Sequence, residues 1–228
     1  MKTTTTTSQH FVSSTRRNLR ASSALSALAA MAALATFATL ASQTARAADD
    51  TGPWLLRGGI ASVQPASDNG RLLGGTAAAT VGNGVGPSIA LSYFLNPNLA
   101  VDLLAALPIR HDLNLNGAHA GRVSHLPPTL SLQYHFMPAA TFRPYVGLGL
   151  NYTTFMKESL DGGARLKLRD SFGLAYQAGI DYAIDRHWSV GADVRYLRIA
   201  TDVRVNGADA GRLHIDPVVL GLNAGYRF

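Results

Sequence analysis

The chain has 228 residues, with 20 Lys and Arg, 14 Asp and Glu, and no cysteine. Its formal net charge of +6 comes mostly from residues 1–47, which carry five basic residues and no acidic residue. Residues 48–228 carry 15 basic and 14 acidic residues, so their charge gives no reason to expect nucleic-acid binding. The lack of cysteine excludes disulfides and thiolate chemistry.

The first 47 residues have the pattern of a secretory signal peptide. Four basic residues precede an Ala- and Leu-rich core over residues 21–40, and Ala45-Arg46-Ala47 provides a small-x-small cleavage site. The alternative is an uncleaved membrane anchor, but the many Ala, Ser and Thr residues weaken the core. The sequence therefore predicts a signal peptide over 1–47 and a mature domain over 48–228.

The mature part contains no run of about 18 apolar residues, the length that a membrane-spanning helix needs. It alternates apolar with polar residues instead, most clearly at the end of the chain. There Leu220, Leu222, Ala224, Tyr226 and Phe228 alternate with small or polar residues, so one face of the strand is apolar throughout. A closed barrel spans a membrane with such strands because it leaves no unpaired strand edge in lipid.

Eight alternating segments follow one another with turn residues between them. They predict strands at 54–65, 80–95, 99–113, 128–136, 142–155, 170–184, 188–205 and 212–228. We expect the short connections at 96–98, 137–141 and 185–187 on the periplasmic side, and longer external loops at 66–79, 114–127, 156–169 and 206–211. The loop at 157–169 has room for a short helix. The predicted fold is all-β: an eight-stranded antiparallel transmembrane β-barrel.

Nine aromatic residues fall near the predicted periplasmic strand ends. They are Trp54, Tyr93, Tyr134, Phe136, Phe142, Tyr182, Trp188, Tyr226 and Phe228. This sorting predicts an interfacial girdle and contact with outer-membrane lipids.

Several sequence motifs resemble the OmpW family. They are LLAALPIRH at 103–111, HLPPTL at 125–130, FRPYVG at 142–147, GLNYTTF at 149–155 and AGYRF at 224–228. The resemblance covers residues 54–228 in order. It implies a barrel in the outer membrane of a Gram-negative cell, with a narrow, largely apolar lumen that passes small hydrophobic molecules. Family members also serve as phage or bacteriocin receptors and as surface antigens.

Strand parity predicts which side chains face the interior. Near the periplasmic end the inward set is charged and is expected to form a plug of ion pairs: Arg57, Asp102, Arg143, Asp181, Asp193 and Arg227, with His135 and Arg195 beside them. Higher up, the inward set is small or apolar: Leu104, Ala106, Gly147, Gly149, Gly173, Ala175, Gly179, Leu197 and Ile199. The alternative is a barrel filled with side chains, without a cavity.

The resemblance also implies a bulky apolar pair at a constriction of the lumen. Leu104 fits one position of this pair. Arg195 stands at the other, which is often aromatic in the family, so the apolar character of the constriction is an open question here. Leu104, Ala106, Arg195 and Leu197 are the predicted lining of the lumen.

Pro87, Pro108 and Pro128 fall in or near the outer halves of three neighbouring predicted strands. Each proline removes one donor from the backbone ladder. Two interpretations remain open: locally unpaired strands that give a lateral opening into the membrane, or strands that rise above the membrane into water.

Two functions of different kind follow. The first is a channel for passive uptake of small hydrophobic molecules with lateral exit, and the second is a structural or receptor barrel without a transport lumen. Ser124 and His125 with Asp112 do not make a catalytic triad by sequence proximity alone, so no enzyme and no cofactor are expected. His111, His119 and His125 are interpreted as solvated loop residues, and no metal site is expected.

The terminal Phe228 resembles the signal that the barrel-assembly machinery reads. The sequence therefore predicts that this machinery is a partner, and that the barrel inserts as a monomer.

Overall fold

The structure is a computed structural model that describes residues 51–161 and 163–228, and it leaves the side chains of Ala106 and Lys157 undescribed. The predicted signal peptide over 1–47 lies outside the described residues. Within the described residues, no helix is long and apolar enough to cross a membrane.

The described residues form fifteen strands. They are β1 (Trp54–Gln64), β2 (Arg71–Leu72), β3 (Ala77–Val81), β4 (Gly84–Asn96), β5 (Leu99–Ala106), β6 (Ile109–Leu115), β7 (Ala118–Leu126), β8 (Thr129–His135), β9 (Phe142–Leu160), β10 (Leu166–Leu168), β11 (Ser171–Ala183), β12 (Trp188–Leu197), β13 (Ala200–Val205), β14 (Ala208–His214) and β15 (Val218–Arg227).

Eight of these strands close the predicted antiparallel barrel, in the order β1-β4-β5-β8-β9-β11-β12-β15. Strand β1 closes the ring because it pairs with β4 on one side and with β15 on the other, as in Leu55↔Ser92 and Leu55↔Arg227. The all-β barrel predicted from the sequence is therefore confirmed. The other seven strands continue the wall upward from the barrel, in the order β10-β13-β14-β2-β3-β6-β7, with β7 paired to the upper part of β9.

Four predicted strands are divided in two. The segments predicted at 80–95, 99–113, 188–205 and 212–228 break near Gly82, Pro108, Arg198 and Pro217, respectively. A proline explains two of the breaks directly, because it removes a ladder donor. At the break before β15, Asp216 adopts a φ of 34° and its side chain accepts a hydrogen bond from the Ile199 amide at 2.8 Å.

Two predicted external loops are largely strand. Residues 114–127 contain β7, which forms a tight hairpin with β6, and residues 206–211 contain the start of β14. Asn116-Gly117 and Asn206-Gly207 make the turns with positive φ at both positions, which is the geometry that Asn-Gly pairs favour in two-residue hairpins. The short helix considered for 157–169 is wrong, because β9 extends to Leu160 and β10 follows it.

The outer face of the barrel is apolar, as the alternation predicts. Leu132, Leu148, Ile180, Val194 and Leu222 are all exposed and lie on five different strands. At the predicted periplasmic end, aromatic rings contact one another along the wall. The pairs are Trp54–Tyr93, Tyr134–Phe136, Phe142–Tyr182 and Trp188–Tyr226.

Candidate functional site

A charged layer crosses the lower interior of the barrel. We use this term for Arg57, Asp102, Asp181, Asp193 and Arg195, all buried. Arg57 lies at its centre: one guanidinium nitrogen is 2.6 Å from a carboxylate oxygen of Asp181, and another is 3.6 Å from Asp102. Charges buried at this depth are tolerated only when they are paired and hydrogen-bonded.

Neighbouring polar groups complete the network around these charges. The Ser92 hydroxyl accepts a hydrogen bond from Arg57 at 2.7 Å and donates one to Asp102 at 2.6 Å. Arg195 lies 3.3 Å from Asp193 and donates to the side-chain oxygen of Gln177, also at 3.3 Å. Arg195 is therefore a buried, paired cation.

Two further arginines of the predicted plug lie half-buried below the charged layer. The Arg227 guanidinium stacks over the Phe94 ring at 4.4 Å, and Arg143 donates to the backbone carbonyl of Ala140 at 2.9 Å. A cavity of ≈ 20 Å³ lies among these side chains, with His135 and Asp181 in its lining. It has room for about one water molecule. The predicted plug residues are thus brought together at one end of the barrel.

Tyr145 closes the interior beside the charged layer. Its ring stacks on that of His135, with 5.0 Å between the centroids, and Arg57 lies 5.2 Å from the ring centre. The ring rests on the backbone of Gly179, where a Cβ atom would overlap with it. The inward glycine at 179 therefore seats a large side chain rather than widening the barrel.

Above this level, the interior is filled by an upper apolar cluster. Its buried members are Ala61, Val63, Leu72, Ala79, Val81, Ile109, Leu113, Val123, Phe155, Leu166, Leu168, Ala175, Leu197, Ile199, Val203, Ala210, Leu213, Ile215 and Val219. Leu197 is 1% exposed and Ile199 is 0% exposed, so neighbouring atoms cover both side chains almost completely. The predicted lining residues Leu104 and Leu197 are both buried, and the side chain of Ala106 is outside the described residues.

One side of the interior is polar at middle height, which the sequence reasoning missed. Its buried side chains come from β8 and β9: Thr129, Ser131, Gln133, Asn151 and Thr153. Asn151 donates to the Thr129 hydroxyl at 3.1 Å and accepts from Thr153 at 2.7 Å. Strand parity could have identified these residues, because they have the same parity as the inward-facing His135 on β8 and Tyr145 on β9.

The barrel wall is interrupted between β5–β6 and β7–β8. The β5–β8 ladder ends at Leu104↔Thr129, and the β6–β7 ladder begins at Ile109↔His125. Residues 105–108 and 126–128 lie between the two ladders, and we name them the wall break. Pro108 and Pro128 lie within it.

Pro87 borders the wall break from the neighbouring strand. Its carbonyl accepts a hydrogen bond from the Leu107 amide at 3.4 Å. The last rung of the β4–β5 ladder, Ser88↔Ala106, lies directly below Pro87. The structure therefore places the three prolines singled out in the sequence around one segment, residues 105–108.

Two of the three histidines interpreted as solvated are buried, and that interpretation is wrong for them. His111 and His125 are each 1% exposed, and their rings stack with 4.6 Å between centroids and an angle of 10°. His119 is exposed and lies 2.8 Å from Asp161. Among residues 51–161 and 163–228, no group of three or more metal-ligating side chains is found.

The hydrolase-like combination of Ser124, His125 and Asp112 does not form a relay. Asp112 accepts a hydrogen bond from Arg122 at 3.2 Å and lies 3.5 Å from His119. Arg122, together with His119, holds the pKa of the Asp112 carboxyl below its usual range. Asp112 is thus engaged on the outer surface, away from the buried His125.

Known proteins resemble this chain in sequence and structure. Residues 50–228 match the model of the OmpW family. Outer membrane protein W of Escherichia coli (strain K12) is 39% identical over 192 residues, which cover 79% of this chain and 91% of that protein. The dibenzothiophene metabolism operon protein PahQ of Pseudomonas aeruginosa is 28% identical over 192 residues, which cover 77% of this chain and 89% of that protein.

The crystal structure of the outer membrane protein OprG from Pseudomonas aeruginosa superimposes with a TM-score of 0.70 and 32% identity, over 78% of this chain and 96% of that chain. Sequence and fold agree over the same region. The chain therefore belongs to the OmpW family and is an outer-membrane β-barrel protein of Gram-negative bacteria.

Proposed function

We propose that this protein is a channel for passive uptake of small hydrophobic molecules, which enter from outside and leave sideways into the membrane. The observation that carries the proposal is the wall break beside the upper apolar cluster. Ile109, the first residue of β6 above the break, is itself a member of that cluster. An apolar molecule among these side chains would therefore lie next to the interrupted part of the wall.

Entry is favoured by the hydrophobic effect. Burial of each CH₂ group contributes about 0.8 kcal/mol, so a molecule of six to eight carbons gains several kcal/mol on leaving water. The upper apolar cluster is packed, so its Leu, Ile and Val side chains must move to admit a guest. Such movement breaks no hydrogen bond of these apolar side chains, and the guest replaces the contacts that are lost.

The charged layer blocks the direct path to the periplasm. An apolar molecule in that position would separate Arg57 from Asp181 or Asp102 and leave buried charges unpaired. Breaking a buried ion pair costs about 3–5 kcal/mol. The wall break offers a path without that cost, and this asymmetry supports lateral exit. Leu104, Ala106, Arg195 and Leu197 remain the proposed lining, and Pro87, Pro108 and Pro128 the proposed border of the exit.

The relatives support the chemical class of the transported molecule. Dibenzothiophene, in the name of one relative, is a small fused aromatic compound of the size and polarity that the proposal requires. We further propose that the protein has no catalytic activity, binds no cofactor, works as a monomer, and is inserted by the barrel-assembly machinery through Phe228.

The test is uptake into vesicles whose outer leaflet is lipopolysaccharide, which slows apolar solutes enough to be measured. Leu104→Arg places a charge in the proposed lumen and should reduce naphthalene influx at least tenfold. Leu104→Met conserves volume and polarity and is the matched control. A folded Leu104→Arg barrel, identified by its heat-modifiable gel mobility, that transports at the wild-type rate would exclude the lumen as the route.

A second candidate is a structural or receptor barrel. The observation in its favour is the dense packing of the upper apolar cluster, together with the two hairpin turns at Asn116-Gly117 and Asn206-Gly207. In that case, replacing either turn should abolish phage or bacteriocin sensitivity of cells that express the protein, while influx of apolar solutes should equal that of empty vesicles.

A further inference from the structure

The stacked pair His111–His125 is buried and largely without hydrogen-bond partners. Both rings are buried, yet three of their four nitrogen atoms have no hydrogen-bond partner: Nε2 of His111 and both ring nitrogens of His125. The one satisfied nitrogen is Nδ1 of His111, which lies 2.7 Å from the carbonyl oxygen of Gly82. A buried polar group without a partner destabilises a protein, so a ligand that supplies partners for these nitrogen atoms would be bound favourably.

The contact with Gly82 fixes the chemistry of His111. A carbonyl oxygen only accepts hydrogen bonds, so Nδ1 of His111 carries the proton. In the neutral ring, Nε2 is then an acceptor. A neutral His125 offers one further donor and one further acceptor. The pair therefore presents an unpartnered donor and unpartnered acceptors within one stacked unit.

The surroundings of the pair are apolar. The His125 ring lies 6.2 Å from that of Phe155, which belongs to the upper apolar cluster with Ile109 and Val123. On β4, a Cβ atom at Gly84 would overlap with the His111 ring, so the glycine allows the ring to lie directly against the backbone. The two imidazoles thus form a polar spot beside members of the upper apolar cluster.

The position of the pair connects it to the wall break. His125 pairs with Ile109 in the first rung above the break, and Pro127 and Pro128 follow His125 within two and three residues. A molecule that moves from the upper apolar cluster toward the wall break would pass this polar spot.

We propose that His111 and His125 form a binding subsite for the hydroxyl group of a small apolar molecule, such as a cyclic alcohol or a phenol. This inference rests on the proposed function and names the substrate class of the same channel. A hydroxyl donates one hydrogen bond and accepts others, so it satisfies both kinds of unpartnered nitrogen at once. Its hydrocarbon part fits the apolar side chains around the pair.

The expected preference is about tenfold for the hydroxylated compound over a hydrocarbon of equal size. The hydroxyl both donates and accepts a hydrogen bond that the hydrocarbon lacks, and a tenfold preference corresponds to about 1.4 kcal/mol. A ketone, which only accepts, should fall between the two compounds because it satisfies only the donor.

The first experiment observes binding directly. Protein labelled with ¹⁵N-histidine in lipid nanodiscs is titrated with cyclohexanol and, separately, with methylcyclohexane, while the imidazole nitrogen shifts are recorded by NMR. We expect a saturable shift of the His111 and His125 signals with cyclohexanol alone, and no shift of His119. Equal responses to the two compounds, or no response to either, would overturn the proposal.

The second experiment measures selectivity with variants. His125→Leu should lower the ratio of cyclohexanol to methylcyclohexane influx about tenfold, and His125→Gln, which keeps a donor and an acceptor, should largely retain it. His119→Gln is the control for loss of a histidine in the same part of the chain. If His125→Leu does not fold, His111→Leu and the wild-type NMR titration still decide whether the pair binds a hydroxyl group.

The two hypotheses fail differently. If both compounds enter through the wild-type protein and His125→Leu leaves their ratio unchanged, the subsite is wrong and the channel stands. If neither compound enters through the wild-type protein, the channel is wrong, and the NMR titration alone then decides whether the pair binds a hydroxyl.

Discussion

Arg57 and Asp181 are 124 positions apart in the sequence, and their side chains form a 2.6 Å ion pair inside the barrel. Their strands, β1 and β11, are separated by β15 and β12 in the sheet, so the pair spans the interior instead of following the wall. The contact therefore joins two distant parts of the wall across the interior.

The first prediction concerns this ion pair. Asp181→Leu leaves the buried Arg57 with Asp102 as its remaining carboxylate partner, so we expect the free energy of unfolding to fall by about 3 kcal/mol. Urea unfolding in lipid vesicles, followed by tryptophan fluorescence, measures the change. The exposed Asp209→Asn is the control and should unfold like the wild type. Equal midpoints for Asp181→Leu and the control would show that the pair does not stabilise the barrel.

The second prediction concerns ion leakage. Asp102→Asn removes a negative charge next to Arg57 and Ser92 and should loosen the charged layer, so that small ions pass more easily. We expect a measurable conductance in planar bilayers, where the wild type has almost none. Influx of naphthalene should stay near the wild-type rate, because its proposed route leaves the barrel through the wall break, above the charged layer. A parallel rise in naphthalene influx would place the hydrophobic route through the charged layer.

The third prediction uses two glycines of the wall. A Cβ atom at Gly179 would overlap with the Tyr145 ring, whereas a Cβ atom at Gly58 meets nothing within 4 Å. Gly179→Ala should therefore destabilise the barrel by about 1–3 kcal/mol, the usual cost of overpacking, while Gly58→Ala should be neutral. Urea midpoints of the two variants make the comparison. Equal midpoints would mean that Tyr145 moves aside without cost.

Much of the barrel follows from alternation in the sequence. Arg57, Asp102 and Asp181 were assigned to the interior by parity alone, and all three are buried. What parity could not provide is the pairing, because which arginine meets which aspartate depends on the tilt of strands that lie far apart in the chain.

The buried His111 shows where parity fails. Leu104 and Ile109 both face the interior, although one number is even and the other odd. The wall break has four residues, 105–108, on one side and three, 126–128, on the other. The extra residue moves every later side chain of β6 to the opposite face, as a bulge does. Parity carried upward from Leu104 therefore places His111 outside the barrel, whereas the odd number of His125 agrees with the inward residues of β8.

The fourth prediction concerns assembly. The backbone of Phe228 pairs with β1, since its amide donates to the Trp54 carbonyl at 3.0 Å. Its exposed side chain stacks with Tyr226 and belongs to the interfacial girdle predicted at the periplasmic end. Deleting Phe228 should lower the amount of protein in outer-membrane fractions several-fold, with aggregates in the periplasm. Phe172→Ala removes an exposed aromatic from another strand and is the control. Unchanged levels after the deletion would refute the role of Phe228.

The last prediction concerns the wall break as the exit. Pro108→Ala returns a backbone donor inside the wall break, and Pro128→Ala returns one on the side that faces Tyr152 of β9, whose amide donates to the Pro128 carbonyl at 3.0 Å. With both changes, the strands on the two sides of the wall break can form more continuous backbone hydrogen bonds and narrow the opening. We expect naphthalene influx to fall several-fold and the amides of residues 105–108 to exchange more slowly with deuterium.

Pro144→Ala is the matched control for this variant, because Pro144 lies within the continuous β9–β11 ladder, opposite Ile180. It should change neither influx nor exchange at 105–108. If the double variant gains protection at 105–108 and still transports at the wild-type rate, the molecule does not leave through the wall break. The prolines would then belong to strands that stand above the membrane, where water satisfies the carbonyl groups that lack a ladder donor.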